Sequence, residues 1–402
     1  MNLRFLREVP IALRISVYIY LAHILLQGKL SLSELTAFFA ILFLGWAIAR
    51  REVVPTFHIL YFPLLLYGIA SSVSAIVNGA TQHSYADAMT WFKMLIFPTA
   101  LIIYRAVPPV REVALRLQVV FGVVIALWGI YQYFILGQRS LEQRITGPAP
   151  HVMTFSGQLL PIALLLLILA AHRKQWWLWA SAGVVSLALF LTLTRSYWFG
   201  WLAGALVLLV LKRPRWLLYA IPVLLITITL LPMNFFGRLV SSFDVRSESN
   251  LDRIRMAQAG AEIIKDYPTL GVGPAAVKEI YPLYRKEDAP RFRPPHLHNN
   301  VIQLWAERGI LGLAAYLLLL GLFLRECARG WRGPRREFAQ AGVAIAVGLT
   351  YAGLFEFNFG DTEVFYLMLE LFALIVAWLE NPQEIATNEL RPQLVPVRST
   401  GP

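Results

Sequence analysis

The sequence contains almost no cysteine and little charge. Its single cysteine, Cys327, excludes an internal disulfide and any metal site built on several cysteines. Only 15% of the 402 residues are charged while 57% are hydrophobic, a balance too apolar for an ordinary soluble domain. Acidic residues are the scarcer charges, 24 against 36 basic ones, and the net charge is +12. A basic excess can indicate nucleic-acid binding, and the positions of the basic residues along the sequence show whether it does so here.

Apolar runs of about 20 residues recur along most of the sequence, each long enough to cross a hydrocarbon core of roughly 30 Å. They predict an all-α polytopic membrane protein with about twelve transmembrane helices. Arg14 interrupts the first run and no small-residue cleavage site follows, so the start of the chain does not resemble a cleaved signal peptide. The predicted spans cover residues 9–27, 33–49, 56–78, 87–105, 112–136, 152–171, 176–193, 196–211, 215–231, 307–325, 337–357 and 362–380.

The basic residues predict the orientation of these spans, because cytoplasmic connections carry the excess of lysine and arginine. One side is poor in them, with only Lys29, Arg139, Arg144 and Arg195 in its short connections. The opposite side is therefore cytoplasmic, and both termini lie there. Much of the net charge is thus a topology signal, and nucleic-acid binding is set aside. The cytoplasmic set comprises Arg4, Arg7, Arg50, Arg51, Arg105, Arg111, Arg173, Lys174, Lys212, Arg213, Arg215 and the basic residues from Arg325 to Arg336.

Residues 232–306 are the only long insert between predicted spans, and the same rule puts this loop on the outer face. It separates a nine-span bundle, residues 1–231, from a three-span bundle, residues 307–380. The polar tail, residues 381–402, is predicted to be a disordered cytoplasmic segment. A long loop inside a compact chain is usually functional or disordered, and the helix signals in this one indicate structure.

The loop begins with the pattern of an amphipathic helix. Ser249 to Asp252 has the spacing of a capping box. The helix is predicted to end at Asp266-Tyr267-Pro268, before a tight turn at residues 271–274 and a second helix near 275–286. The apolar residues expected to form the buried face of the first helix are Leu251, Ile254, Ala257, Ala261 and Ile264.

The segment 291–313 carries the most chemistry. Pro294 and Pro295 cannot continue a helix but can precede one, so a helix is predicted to start near His296 to His298. His298 would then lie in the first turn, where unpaired amides and the positive dipole end favour a neutral imidazole. A neutral histidine at a water–membrane boundary can act as a general base. A pair of helix-capping histidines explains the same local pattern.

Several arginines on the predicted outer side indicate a binding site for an anionic ligand. Arg195 lies in a tight turn between two spans, where an arginine is costly unless it is paired, faces a cavity or reaches lipid headgroups. Arg253 lies in the first turn of the loop helix, where the dipole disfavours a cation. Arginines near a neutral histidine suit the binding of a diphosphate leaving group. Glu356 and Asp361 are the nearest approach to a metal-binding carboxylate pair, and they are interpreted as structural or gating residues.

At four places the sequence resembles the O-antigen ligase and polymerase superfamily of bacterial envelope glycosyltransferases. Residues 195–198 resemble its arginine at the outer end of a span, and residues 252–274 its loop helix with a Pro-x-x-Gly-x-Gly turn. His296-Leu297-His298-Asn299, running into residues 306–312, resembles its His-x-His-Asn and Glu-x-Gly signature. Residues 144–148 resemble an outer-loop pattern, but the usual Asn-Pro-Asn is replaced by Ala149-Pro150-His151.

The resemblance implies an enzyme that transfers a glycan from an undecaprenyl-diphosphate donor at the periplasmic face of the inner membrane, without metal or cofactor. His298 would be the catalytic base, and Arg195 and Arg253 would bind the diphosphate. Possible further substrate-binding residues are His296, Arg291 and Arg144. The expected acceptor is lipid A–core, which makes the protein an O-antigen ligase with an inverting mechanism. An O-antigen polymerase, a protein O-oligosaccharyltransferase and, more distantly, a transporter of lipid-linked glycans are the alternatives.

Overall fold

The computed structural model describes residues 3–79, 90–212, 244 and 247–380, and these residues are predominantly helical. The α-helices are α1 (Ile11–Leu26), α2 (Leu30–Ala49), α3 (Tyr61–Val77), α4 (Ile96–Ala106), α5 (Val110–Phe134), α6 (Val152–Arg173), α7 (Trp176–Leu191), α8 (Arg195–Lys212), α9 (Glu248–Asp266), α10 (Val277–Tyr284), α11 (Asn300–Gly330), α12 (Arg336–Gly353) and α13 (Thr362–Leu379). Short 3-10 helices cover Arg4–Glu8, Thr90–Leu95 and Asn358–Gly360.

The helices agree with a multi-pass membrane protein, although not with every predicted span. Five are long and apolar enough to cross a membrane: Ser31–Ala49, Val110–Phe134, Val152–Arg173, Asn300–Gly330 and Thr362–Leu379. Helices α1, α3 and α7 are apolar but shorter. The predicted span 87–105 is divided, because a 3-10 helix precedes α4, which has only 11 residues. The span 215–231 and the tail 381–402 lie outside the described residues, and the count of twelve and the domain boundaries stay predictions.

Helices α6 and α13 form the centre of the bundle, and nearly every residue of α13 is buried. Around them α12 packs against both α6 and α8. Glycines permit the close approach of α8 and α12, since a Cβ on Gly200 would lie 2.7 Å from the backbone oxygen of Gly348. The contact brings Arg195, at the start of α8, to the end of α12, which Glu356 closely follows.

The ionisable residues inside the bundle find partners in distant helices. Lys93 Nζ lies 2.8 Å from Glu34 Oε1. Glu370 accepts a hydrogen bond from Gln118 at 3.0 Å, and His23 Nε2 lies 3.0 Å from its carboxylate. His23 Nδ1 lies 2.9 Å from the carbonyl oxygen of Ser33, which only accepts, so Nδ1 carries a hydrogen.

The loop after residue 247 has an apolar core of its own. Helix α9 contributes Met256, Ala259 and Ile263 to this core, where they pack with Val272, Val277, Tyr281, Leu297 and Ala306. The face predicted from the sequence was wrong: Ala261 is exposed, and Asp252 and Gly260 are buried. A Cβ on Gly260 would overlap Ile302, so the absence of a side chain there lets α11 pack against α9 and fixes the buried face.

Two of the sequence motifs form one structural unit at a break in α11. Gly309 has φ 64° and ψ −168°, which interrupts the helix. The turn after α9 fills the gap: the backbone N–H groups of Val272 and Gly273 donate to the oxygens of Ala306 and Glu307 at 2.8 and 2.9 Å. The N–H of Ile310 donates to Pro268 at 3.1 Å. The break therefore stabilises the loop against the start of α11.

Candidate functional site

His298 lies just outside a helix, contrary to the sequence prediction. Helix α11 begins at Asn300, and Asn299 is its N-cap, with a side chain that accepts from the N–H of Ile302. Asparagine caps helices better than histidine, which explains the shift. His298 precedes the cap with φ 52°, a left-handed conformation that histidine adopts more readily than most residues. His298 therefore lies outside the first turn in which the sequence analysis placed it.

Glu356, in the connection between α12 and α13, is the centre of the site. It is 3% exposed, and its two carboxylate oxygens lie 2.9 and 3.0 Å from Nδ1 of His298. His296 Nε2 lies 3.7 Å away and Arg253 Nη2 4.0 Å away. Burial alone would raise the pKa of Glu356, but the hydrogen bond and charge of His298, with His296 and Arg253, lower it below its usual value.

The hydrogen bonds assign a different tautomer to each of the two histidines. Arg291 Nη1 lies 3.4 Å from Nε2 of His298, and since a guanidinium only donates, that nitrogen accepts and Nδ1–H points to Glu356. Nδ1 of His296 accepts from the backbone N–H of His298 at 3.3 Å, so its neutral ring carries hydrogen on Nε2. Burial lowers the pKa of His296 to about 4. The unprotonated nitrogen of His298, Nε2, therefore contacts only the side chain of Arg291, whereas that of His296, Nδ1, is occupied by a backbone N–H.

Helix α9 anchors the arginines. Arg253 donates to Ser249 Oγ at 2.8 Å and to the backbone oxygen of Phe355 at 3.1 Å, which ties α9 to the end of α12. Arg195 donates to Asn250 Oδ1 at 2.9 Å. Burial lowers the pKa of Arg253, and the charge of Glu356 opposes that shift. The first turn of α9 thus orients two guanidinium groups toward one space.

Two adjoining cavities occupy the site. The arginine chamber, about 230 Å³, is lined by Arg144, Met153, Thr194, Arg195, Ser196, Phe199, Asn250, Arg253, Tyr351 and Phe355. None of these lining residues is acidic. The histidine chamber, about 430 Å³, is lined by Arg144, His151, Met153, Thr154, Tyr197, Arg291, Pro295, His296, His298, Glu356, Phe357, Asn358, Gly360 and Asp361. Arg144 and Met153 line both chambers, and a buried nitrogen of Arg144, Nη1, has no hydrogen-bond partner among the described residues.

The site also contains a set of donors that could hold a metal. One ligand atom each from His296, His298 and Glu356 lies within 4.8 Å of the others. Arg253 and Arg291 place two cationic groups beside the same carboxylate and imidazole, and their repulsion disfavours a divalent cation there. A reaction without metal stays a prediction.

Residues 180–317 match the family model described as O-antigen ligase. This match supports the O-antigen ligase superfamily over the segment that it covers. No curated protein matches the chain. That family implies a glycosyltransferase-like enzyme that acts on lipid-linked glycans, and the apolar helices of this chain agree with a membrane-bound substrate. The matched segment contains Arg195, Arg253 and His298, whereas Arg144 and Glu356 lie outside it.

All six residues that the sequence analysis selected line one or both chambers: His298, His296, Arg291, Arg195, Arg253 and Arg144. Sequence reasoning did not select Glu356 as a site residue, although Glu356 contacts three of them. The only sequence signal for Glu356 was a carboxylate after an apolar span on the predicted outer side. Its contacts with the histidines could not be predicted, because these lie about 60 positions earlier in the chain. His151 and Asp361 in the histidine chamber were not selected either.

Proposed function

We propose that this protein is an O-antigen ligase that transfers a glycan from undecaprenyl diphosphate to lipid A–core at the periplasmic face of the inner membrane. The observation that carries the proposal is the position of the His298–Glu356 pair beside a chamber that contains three arginines. A general base thus lies next to a binding site for a strongly anionic leaving group.

The arginine chamber suits the donor. A diphosphate carries several negative charges, and Arg144, Arg195 and Arg253 offer paired donors with no competing carboxylate in the lining. The unpartnered Nη1 of Arg144 leaves one such donor available. Met153, Phe199, Tyr351 and Phe355 supply apolar surface, and the exposed Phe355 lies at the edge of this chamber. The first prenyl unit of the donor fits against that surface. The rest of the polyprenyl chain stays in the bilayer, because its transfer to water is unfavourable.

The histidine chamber supplies the base. An acceptor hydroxyl that replaces Arg291 at Nε2 of His298 gives its proton to that nitrogen as its oxygen attacks the anomeric carbon. The bond from that carbon to the diphosphate oxygen breaks, and the leaving group takes the electron pair, stabilised by the arginines. Glu356 stabilises the imidazolium until the proton passes to solvent. Attack opposite to the leaving group inverts the configuration at the anomeric carbon.

Product analysis tests the proposal. Purified protein is incubated with a defined undecaprenyl-diphosphate oligosaccharide, with and without lipid A–core. A ligase makes glycan-modified lipid A–core and nothing in its absence. Longer lipid-linked chains formed without lipid A–core would identify a polymerase instead, and no new glycosidic bond with any acceptor would contradict an enzyme of this class.

Two arginines of α9 provide a matched pair for the donor site. Arg253 lines the arginine chamber, whereas Arg255 pairs with Asp288 and Gln258 away from it. We expect Arg253→Ala to raise KM for the donor by roughly ten-fold or more, since a charge-assisted contact to the diphosphate is lost. Arg255→Ala should leave KM for the donor unchanged. An equal effect of both variants on KM would mean that these arginines affect donor binding only through the structure of α9, and that Arg253 does not bind the diphosphate directly.

A further inference from the structure

A third histidine, His151, faces the histidine chamber from the start of α6. It is the N-cap of that helix, and its Nδ1 accepts from the backbone N–H of Met153 at 3.2 Å. A nitrogen that accepts a hydrogen bond carries no proton, so the neutral ring bears its hydrogen on Nε2. Burial, together with the charge of Arg144, lowers the pKa of His151 below its usual value, which favours this neutral form. His151 is therefore a fixed hydrogen-bond donor.

The two chambers differ in charge, and this difference separates their ligands. The arginine chamber has cationic groups and no acidic lining residue, so it takes the diphosphate. The histidine chamber instead has mixed charges, since its lining contains the carboxylates Glu356 and Asp361 as well as Arg144 and Arg291. The two signs offset each other there, and an uncharged sugar can offer hydroxyl hydrogens to the carboxylates and hydroxyl oxygens to the donors.

Asp361 and His151 lie at the starts of two neighbouring helices. Asp361 is the N-cap of α13, and Thr154 of α6 donates to its Oδ2 at 2.6 Å. This bond ties the first turn of α6, which follows His151, to the start of α13. The donor on His151 and the two carboxylates therefore line the same chamber, where each can contact a different hydroxyl of one sugar.

We propose that the histidine chamber is the acceptor subsite and that His151 selects the acceptor by donating its Nε2 hydrogen to a hydroxyl oxygen of an uncharged sugar. The proposal rests on the proposed function, since it takes the group that donates its proton to His298 to be a sugar hydroxyl. His151 is a specificity residue in this account and takes no part in proton transfer.

His151→Asn separates recognition from helix capping. Asparagine is among the best N-cap residues, so the variant retains the cap of α6. Its side chain is shorter and lacks the Nε2 hydrogen at the position of the imidazole donor. His151→Ala loses the cap as well, and a lower Tm is expected for that variant alone.

The deciding measurement is the Kd of lipid A–core for the wild-type protein and for His151→Asn, without donor, together with Tm and KM for the donor. We expect the Kd to rise roughly five- to ten-fold, the loss of one hydrogen bond, while Tm and KM for the donor stay the same. An unchanged Kd, or a changed KM for the donor, would overturn the assignment. A weaker Kd in a protein that forms no glycosidic bond would support the subsite and contradict the proposed reaction.

Discussion

At the scale of single residues, the chemistry depends on which nitrogen of each imidazole carries its hydrogen. Glu356 fixes the hydrogen of His298 on Nδ1, and the guanidinium of Arg291 marks the opposite nitrogen as an acceptor. Asp252 holds Arg291 in turn, with 3.1 Å between Nε and the carboxylate. An acceptor hydroxyl must therefore displace a cation from the base, so proton abstraction begins only when the acceptor is bound.

The burial of His296 predicts a loss of stability in acid. Its pKa is lowered to about 4 in the folded protein, so between pH 6.5 and 4 the unfolded chain binds a proton that the folded chain does not. Stability then falls as pH decreases through that window, and the lowered pKa of Glu356 acts in the same direction. We expect His296→Asn, which can still accept from the N–H of His298, to lose less Tm between pH 7 and pH 5 than the wild type. Equal losses measured in detergent would refute this account.

The sequence predicts the arginines and the base better than their carboxylate partner. An arginine at membrane depth or in the first turn of a helix is unusual in itself, so Arg195 and Arg253 are recognisable without a structure. Glu356 acquires its role from residues about 60 and 100 positions away in the chain. Local patterns contain no information about such contacts, and the same limit applies to the tautomers of His296 and His298.

At the scale of elements, the break in α11 positions the start of that helix, and with it His298. The sequence predicted the turn at residues 271–274, the end of α9 at Asp266 and the position of α10. It did not predict the start of α11, because capping by Asn299 depends on one side-chain hydrogen bond. It also could not show that the Gly-x-Gly turn and the Glu-x-Gly segment bind each other.

Gly309 is the residue on which this break depends. The combination of φ 64° and ψ −168° is one that only glycine adopts without strain, and a Cβ would overlap the backbone oxygen of Thr269. We expect Gly309→Ala to destabilise the protein by at least about 3 kcal/mol, from strain and displacement of the turn. Gly321→Ala is the control, since Gly321 lies in the same helix with open space around its Cβ position. Similar Tm values for Gly309→Ala and the wild type would show that the break is dispensable.

At the scale of the whole molecule, the account requires the loop and the chambers to face the periplasm. The distribution of basic residues predicts this orientation, and five helices have the length and hydropathy of membrane spans. Shorter helices such as α4 show why the spans could not be counted from hydropathy alone: apolar residues buried against other helices resemble residues that face lipid.

Cysteine labelling tests the orientation. Cys327 is buried, so it should give little background with a membrane-impermeant maleimide. We expect Glu279→Cys, exposed in the loop, to be labelled once the outer membrane is permeable. Arg332→Cys, exposed between α11 and α12, should react only after the inner membrane is opened. The reverse pattern would place the site on the cytoplasmic side.

The most direct test of the central claim is the transfer rate of His298→Asn from undecaprenyl-diphosphate oligosaccharide to lipid A–core. Asparagine tolerates the left-handed backbone and can still donate to Glu356, but it has no basic nitrogen at the position of Nε2. The account predicts a rate at least about 100-fold below the wild type, with Tm and donor binding retained. A folded His298→Asn protein that transfers glycan at the wild-type rate would contradict it.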